Sequence, residues 1–430
     1  MRIAFATLGC KVNQFETQAL ELIAKEKGHV IVPFSEGADA FVINTCSVTA
    51  VSDKKSRQLI RKTIRANKDS VIAVCGCFSQ ANPDGAAAIE GVHVVSGTND
   101  KRAFFDMIEK AVEDRQMQIS VDKALARREF EILPAGGLSH HTRAMLKVQD
   151  GCVNFCTYCI IPYTRGPIRS MPFDLAVSEA KRLEREGYRE IIITGIEISS
   201  YGVDLKPKRE IGELIAEICK AVPNVRIRLG SLEPRTIDEG FCNLLKDFKN
   251  LCPQFHLSLQ SGSDATLARM RRKYDTARYL KSVKLIRENF ENCAITTDLI
   301  VGFPGETNEE FDETLEFIKK CDFSMMHIFP YSKREGTPAA KMSDQIEKSI
   351  KEERAAFASA VEMRMRYVFW EKQVGKACSV LFEEVCDGMW QGHSENYIPV
   401  RVRSERDLKN QVMNVEIKKV KDDYLMGVLI

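Results

Sequence analysis

The sequence predicts an α/β protein: a helix-covered parallel sheet, then an incomplete (β/α)6 barrel, then a small all-β barrel. Three observations carry this. Apolar strand-like runs alternate with amphipathic runs over residues 1–115, the pattern of parallel strands joined by crossover helices. Six further strand-like runs, again separated by helix-like stretches, fill residues 143–330. From about Gln373 short strands and turns follow one another without helices, as in small β-barrels.

In the first unit "RIAFATLG" precedes an amphipathic run from Gln14 to Lys27, and "AFVINT" precedes a run from Ala50 to Ala66. "VIAVCG" is followed by a helix-like stretch after Pro83, and "HVVSG" by one over 99–113. This Rossmann-like unit is taken as 1–116. Residues 117–142 are poorly periodic and end in "LPAGGLSHHT", which reads as a linker. The barrel unit, 143–371, has strands "RAMLKVQ", "EIIITG", "RIRLGS", "FHLSLQ", "ITTDLIVG" and "MMHIFPYS". Helices are expected over 174–187, 208–221, 236–248, 263–289 and 307–320. Six βα units are two short of a closed eight-stranded barrel, so this one is open on one side. Chemistry in such folds gathers at the carboxyl ends of the strands. A long charged helix over 343–371 leads into 372–430, a barrel of about OB size.

Composition narrows the class. Hydrophobic residues make up 44% and charged residues 28% of the 430 positions, as in globular proteins. Apolar runs such as "VIAVCGCF" are too short to span a bilayer, and "MRIAFATLGC" has too little apolar length for a secretory signal. A cytoplasmic monomer without membrane contact is expected. The net charge of +2 excludes a globally basic nucleic-acid binder, so any basic surface is local. Fourteen cysteines in a reducing compartment point to metal or catalytic use rather than a disulfide framework. Cys219, Cys242, Cys252, Cys293, Cys321, Cys378 and Cys386 are scattered singly and read as small core residues.

Two cysteine sets stand apart. "DGCVNFCTYC" puts Cys152, Cys156 and Cys159 on one loop after the first barrel strand. Soft thiolates there suit zinc or an iron–sulfur cluster. Zinc asks for a fourth Cys or His nearby, and "IIPYTRG" supplies none. A 4Fe–4S cluster takes four cysteines as a rule, so three leave one iron open, and an open iron is a substrate site. The second set is Cys10, Cys46 and Cys77, each just past the end of a strand in the first unit. Parallel strand ends share one edge of the sheet, where distant loops converge. At the third position "CGC" offers Cys75 as well; Cys77 is preferred because it repeats the Gly-Cys step of Gly9-Cys10, whereas Cys75 ends the strand.

The C-x3-C-x-aromatic-C spacing at the head of an α/β barrel resembles the radical S-adenosylmethionine superfamily. With "GCKVNQFE", "NTCSVT", "GCF", "ITGIEISSYG", "LSLQSGSDATLARMRRKY", "DLIVGFPGET" and "PYSKREGTPA", the resemblance extends over nearly the whole chain to the methylthiotransferases. "TLGCKVNQFE" and "CIIPYTRG" are most similar to the MtaB-type branch, which acts on N6-threonylcarbamoyladenosine beside the tRNA anticodon (position 37). The resemblance implies an N-terminal methylthiotransferase domain, a radical open barrel and a C-terminal TRAM barrel. It implies two 4Fe–4S clusters, S-adenosylmethionine as radical source and methyl donor, and an electron-donor protein. On this reading the Cys152 set chelates S-adenosylmethionine for hydrogen abstraction at adenine C2, and the Cys10 set carries the sulfur. Cofactor contacts are expected from Gly195, Glu197, Ser231, Glu233, Gln260 and Asp298, with Ser261, Gly302 and Pro304 nearby. Arg165 and Arg169 could face a carboxylate or phosphate and are assigned to neither. No His-based constellation is evident, and no catalytic side chain is assigned beyond the clusters. A tRNA anticodon stem-loop would be held by Lys54, Lys55 and Arg61, by Arg271, Arg272 and Lys273, and by Arg401 and Arg403, since phosphates need local positive charge. The last unit is not basic overall, so its RNA role rests on the TRAM resemblance. Methylthiolation of isopentenyladenosine tRNA or of a ribosomal protein aspartate keeps the chemistry and changes the substrate. A non-catalytic iron–sulfur RNA-binding regulator is the alternative of another class.

Overall fold

The structure is a computed structural model and describes residues 1–136 and 142–430. The end of the expected linker, 137–141, with its two histidines, lies outside the described residues. The first sheet is parallel throughout, in the order Val30–Ile31, Arg2–Thr7, Ala40–Thr45, Val71–Gly76, Val94–Ser96, Gln118–Ser120. Its central strands are buried on both faces, which is why they read as unbroken apolar runs rather than alternations. The two outermost strands went unread in the sequence. They are two and three residues long and largely exposed, too short for a period to register. Gln118–Ser120 carries the sheet into the stretch expected as linker.

Six strands of the second unit follow in chain order: Arg143–Asp150, Glu190–Gly195, Arg226–Leu229 with Ser231–Leu232, Gln254–Leu257, Ala294–Val301 and Met325–Pro330. They form two four-stranded sheets rather than one. The division falls within the third strand at Gly230: the part before it pairs with Glu190–Gly195, the part after it with Gln254–Leu257. The first strand is edged by the short antiparallel pair Arg169–Ser170, and the last pairs only with its predecessor, so the barrel is open. The expected helix over 263–289 is two helices, Asp264–Arg269 and Thr276–Asn289. The chain turns between them at Arg271, φ +57, and Tyr274 folds inward to donate to the Leu259 carbonyl at 2.8 Å.

Alternation divides the barrel strands. Ala144, Leu146, Val148, Ile191, Ile193, Ile227 and Leu229 pack outward against the helices in one core. The intervening residues, among them Lys147, Gln149, Arg226 and Arg228, face inward. Helix Lys348–Glu371 then leads to a closed five-stranded barrel in the order Ala377–Cys386, Met389–Ser394, Pro399–Val402, Leu425–Leu429, Val412–Val420, with Trp370 packed into its core. Among the described residues no helix is long and apolar enough to cross a membrane.

Candidate active site

The strand Arg143–Asp150 ends in Gly151 at φ +75, where a β-carbon would stand 1.8 Å from the Pro167 carbonyl oxygen. Only glycine lets the chain pass this close. The loop that follows is fixed by its own backbone. Cys152 N–H donates to Gly166 O at 3.0 Å, Cys159 N–H to Cys156 O at 3.0 Å, and Thr157 N–H to Met270 O at 3.1 Å. Donors address the sulfurs, among them Asn154 N–H toward Cys152 Sγ at 3.5 Å and Arg272 Nη1 toward Cys156 Sγ at 3.2 Å. Burial pushes the Cys152 and Cys159 thiols up to about 12, with neighbouring acidic groups and thiols adding to it. Such thiols stay protonated until a metal displaces the proton.

The second set comes together from three loops. Gly9, φ +110, leaves the room that Cys46 fills: a β-carbon there would lie 3.0 Å from Cys46 Sγ. Asn13 Nδ2 ties the two loops by donating to Leu8 O at 2.8 Å and Thr45 O at 3.0 Å. Thr45 Oγ1 donates to Cys75 O at 2.5 Å, joining the third. Burial raises the Cys46 and Cys77 thiols. Cys77 adds to the shift of Cys46, and Cys10 to that of Cys77, so the three sulfurs sense one another. Cys75 is fully buried within its strand. Cys77 begins the short helix Cys77–Ala81, beside the other two. Among the described residues no three His, Cys, Asp or Glu side chains are set to hold a single metal ion; a four-iron cube is larger, and its thiolates stand further apart.

One buried network joins the two sets. Arg165, fully buried at the end of helix Ile161–Arg165, crosses into the first unit. It pairs with Glu16 and donates to Asn13 Oδ1 at 2.8 Å, and its charge and a hydrogen bond work against burial at Cys77. Lys147 lies 2.9 Å from Asp150 and 3.4 Å from Glu16, and Arg169 lies 3.5 Å from Asp150. Burial disfavours charge on Asp150, yet Lys147, Arg165 and Arg169 hold its carboxyl well below the ordinary range. Thr98 Oγ1 donates to Thr164 O at 2.7 Å. Arg334, after the last barrel strand, grips Ser47 and Asp53 beside Cys46. Arg165 and Arg169 therefore face carboxylates, not phosphate.

The expected cofactor contacts line the same strand ends. Gly195 leaves space against the Gln149 carbonyl, 2.8 Å from where a β-carbon would be. Glu197 N–H donates to Gln149 Oε1 at 2.8 Å, a residue that the strand's apolar pattern concealed. Burial raises the Glu197 carboxyl, and among the described residues its Oε1 is buried without a hydrogen-bond partner. Ser231 is exposed, and Glu233 N–H donates to Ser199 Oγ at 2.8 Å. Asn154 Nδ2 reaches Glu233 Oε1 at 3.5 Å, linking that carboxylate to the Cys152 loop. Gln260, φ +71, bridges to the Asp298 strand through backbone bonds of 2.9 and 2.8 Å. Asp298 lies 3.3 Å from His256 Nε2, and its strand neighbour is His327. Sequence reasoning missed this His256–Asp298–His327 group because its members are far apart along the chain.

Of the residues expected on RNA, Lys54, Lys55, Arg61, Arg271, Lys273 and Arg403 are exposed. Arg401 holds Asp387 at 2.9 Å and covers the Tyr424 ring. Arg272 corrects the expectation. Its side chain is 7% exposed, turned from solvent toward Cys156, Glu233 at 3.7 Å and the Tyr274 ring. The break in the helix delivers it there.

Residues 2–97 match the uncharacterized protein family UPF0004, and residues 146–318 match the radical SAM superfamily. The threonylcarbamoyladenosine tRNA methylthiotransferase MtaB of Bacillus subtilis is 39% identical over 99% of this chain and 95% of its own length. The tRNA-2-methylthio-N6-dimethylallyladenosine synthase of Acetivibrio thermocellus is 32% identical over 99% of this chain and 90% of its own. The radical S-adenosylmethionine methyltransferase TsrM of Kitasatospora setae, solved with cobalamin and a [4Fe-4S] cluster, has a similar fold. Its TM-score is 0.57 at 14% identity, over 79% of this chain and 76% of that one.

Proposed function

The chain belongs to the radical S-adenosylmethionine tRNA methylthiotransferases, and we propose that it adds a methylthio group to C2 of N6-threonylcarbamoyladenosine beside the tRNA anticodon. One observation supports the two-centre chemistry: the Cys152 loop and a second set of three thiols drawn from three loops of the first unit are joined by the buried Arg165–Glu16–Lys147–Asp150 network. In this reading Cys152, Cys156 and Cys159 hold a 4Fe–4S cluster that takes S-adenosylmethionine, and Cys10, Cys46 and Cys77 hold a second. The donor sets fit, being soft thiols, three to a set, with N–H donors aimed at sulfur and the unpartnered Glu197 Oε1 beside the first. Together the bound groups supply hydrogen abstraction from an unactivated carbon, which acid–base side chains cannot perform.

This chain's own residues position and shield. Gly151 and the backbone bonds of its loop fix the thiols. Gly195 and Gln149 shape the wall for the methionine end, and Glu197 offers an acceptor to its amino group. Arg272 donates to Cys156, and Arg334 holds the Cys46 loop closed. Val153, Phe155 and Tyr163, on and just after the Cys152 loop, are exposed and would offer a surface for a base to stack on. Lys54, Lys55 and Arg61, on the helix after Cys46, would meet phosphates. The electron donor would be a separate protein, and the chain would act as a cytoplasmic monomer of three domains, 1–116, 143–371 and 372–430. Nucleoside analysis of tRNA from cells lacking the gene tests the substrate. Loss of 2-methylthio-N6-threonylcarbamoyladenosine, restored by the gene, is expected; unchanged levels in a strain with no second such enzyme would overturn the reading.

A further inference from the structure

Among the described residues a cavity of about 690 Å³ lies between helix Lys11–Glu26, the first two barrel strands and the C-terminal barrel. Its charges are unevenly spread. Lys11, the residue after Cys10, begins the helix, and Glu21 lies nearly three turns on, about 15 Å along the axis at 1.5 Å per residue. Glu384 and Lys409, also on the lining, are exposed. At the Lys11 end one aromatic ring, Tyr397, gathers three cations: Arg228 at 4.7 Å, Arg143 at 5.3 Å and Lys11 at 5.9 Å from its centroid.

The carboxylates here are already committed. Glu190 takes Arg228 through two bonds of 2.8 and 2.9 Å and also faces Arg143 at 3.5 Å and Arg226 at 3.8 Å. Glu383 pairs with Arg143 and His393. Arg143, Arg226 and Arg228 thus share two carboxylates, and among the described residues no carboxylate stands within ion-pairing distance of Lys11. Lys11 is partly buried, and a cation set among others in such a place is stabilised by an anion brought in from outside.

We propose that this end of the cavity is a carboxylate subsite in which Lys11 Nζ receives the carboxylate of the substrate's N6 side arm. The proposal rests on the function inferred above. A threonylcarbamoyl arm ends in a carboxylate, whereas a dimethylallyl arm is apolar and would leave Lys11 unpaired. With the adenine held near the cysteine loops, the arm would extend toward Lys11, which sits one residue from Cys10 and would discriminate between the two arms.

The test uses the full chain reconstituted with iron and sulfide. Its ligands are anticodon stem-loops carrying N6-threonylcarbamoyladenosine or its carboxamide analogue, of equal size and without the charge. Wild type should bind the carboxylate form about 10- to 100-fold more tightly, the range of one hydrogen-bonded charge pair. Lys11→Gln should erase that ratio by weakening the carboxylate form alone, and Lys11→Arg should keep most of it. Iron content per chain confirms that each variant keeps its cysteine sites. Equal binding of both stem-loops by wild type, or equal weakening of both by Lys11→Gln, would overturn the subsite. If wild type methylthiolates the carboxylate form yet binds both equally, the proposed function stands and the subsite falls. If it prefers the carboxylate but never methylthiolates it, the reverse holds.

Discussion

Arg272 donates a hydrogen bond to the sulfur of Cys156, 3.2 Å from Nη1. Its Nε donates to Tyr274 Oη at 3.0 Å, and the guanidinium lies over the same ring, so its geometry is fixed on both sides. A donor to a ligating sulfur stabilises the more negative, reduced state of a cluster and raises its potential. Arg272→Ala should lower the potential of the centre at Cys156 by on the order of 60 mV, the equivalent of a tenfold change in a one-electron equilibrium. Potentiometry followed by electron paramagnetic resonance reads this directly; an unchanged potential would leave Arg272 with a packing role only.

The two cysteine sets should separate by substitution. Cys156→Ala should lose 5′-deoxyadenosine formation and methylthio product together. Cys46→Ala should keep 5′-deoxyadenosine formation and lose the product. Each variant should lose one share of its iron and retain the other. Methylthio transfer by Cys46→Ala would remove the second cluster from the reaction.

Gly151→Ala meets both a left-handed φ of +75 and the Pro167 carbonyl, whereas Gly375, φ +80, has nothing within 4 Å of the added carbon. Gly375→Ala should cost about 1 kcal/mol, and Gly151→Ala about 3 kcal/mol or more, with reduced iron uptake. Thermal denaturation of the two variants side by side isolates the clash from the φ penalty.

Asp150→Asn leaves Lys147, Arg165 and Arg169 buried around a neutral group. Removing one partner of such a network costs about 3–5 kcal/mol, although Glu16 still answers Arg165 and Lys147. Urea unfolding of the apo chain measures it. A loss under about 1 kcal/mol would mean that water reaches the network.

Glu190 sets an acid limit. Burial opposes its charge, but Arg228, Arg143 and Arg226 bring its carboxyl down from 4.5 to about 2. Because the folded value is depressed, its contribution to stability is complete above about pH 4.5 and is lost as pH falls toward 2. Glu190→Gln should therefore lower the urea midpoint by a constant amount from pH 7 to 5, with the gap narrowing only below pH 4.5.

What the sequence made legible follows its periodicities. All six barrel strands stood out as short, largely apolar runs bounded by turn residues, and most helices because one buried face imprints a period on their longer stretches. The cysteine sets stood out because thiols are rare and strand ends converge. Glu16, Gln149 and His256 were hidden, since each acts on a partner far along the chain: Glu16 meets Arg165 only through the fold. Arg272 was misread because an arginine among "RMRRK" looks like its exposed neighbours until the break before Thr276 turns it inward. The division of the barrel sheet at Gly230 left no trace, since "RIRLGSL" is equally apolar on both sides of it.

Arg165 is fully buried where the first unit meets the barrel, with no solvent gap for either side to slide along. The helix starting at Cys77 packs against the helix that ends in Arg165. The two thiol sets therefore behave as parts of one rigid block, their separation cast when the chain folds rather than reset in each cycle. In the proposed reaction the motion that brings sulfur to carbon would then fall to the RNA, whose target nucleotide would swing between the two sets. Turnover in such an enzyme would track the pliancy of the tRNA loop rather than that of the protein.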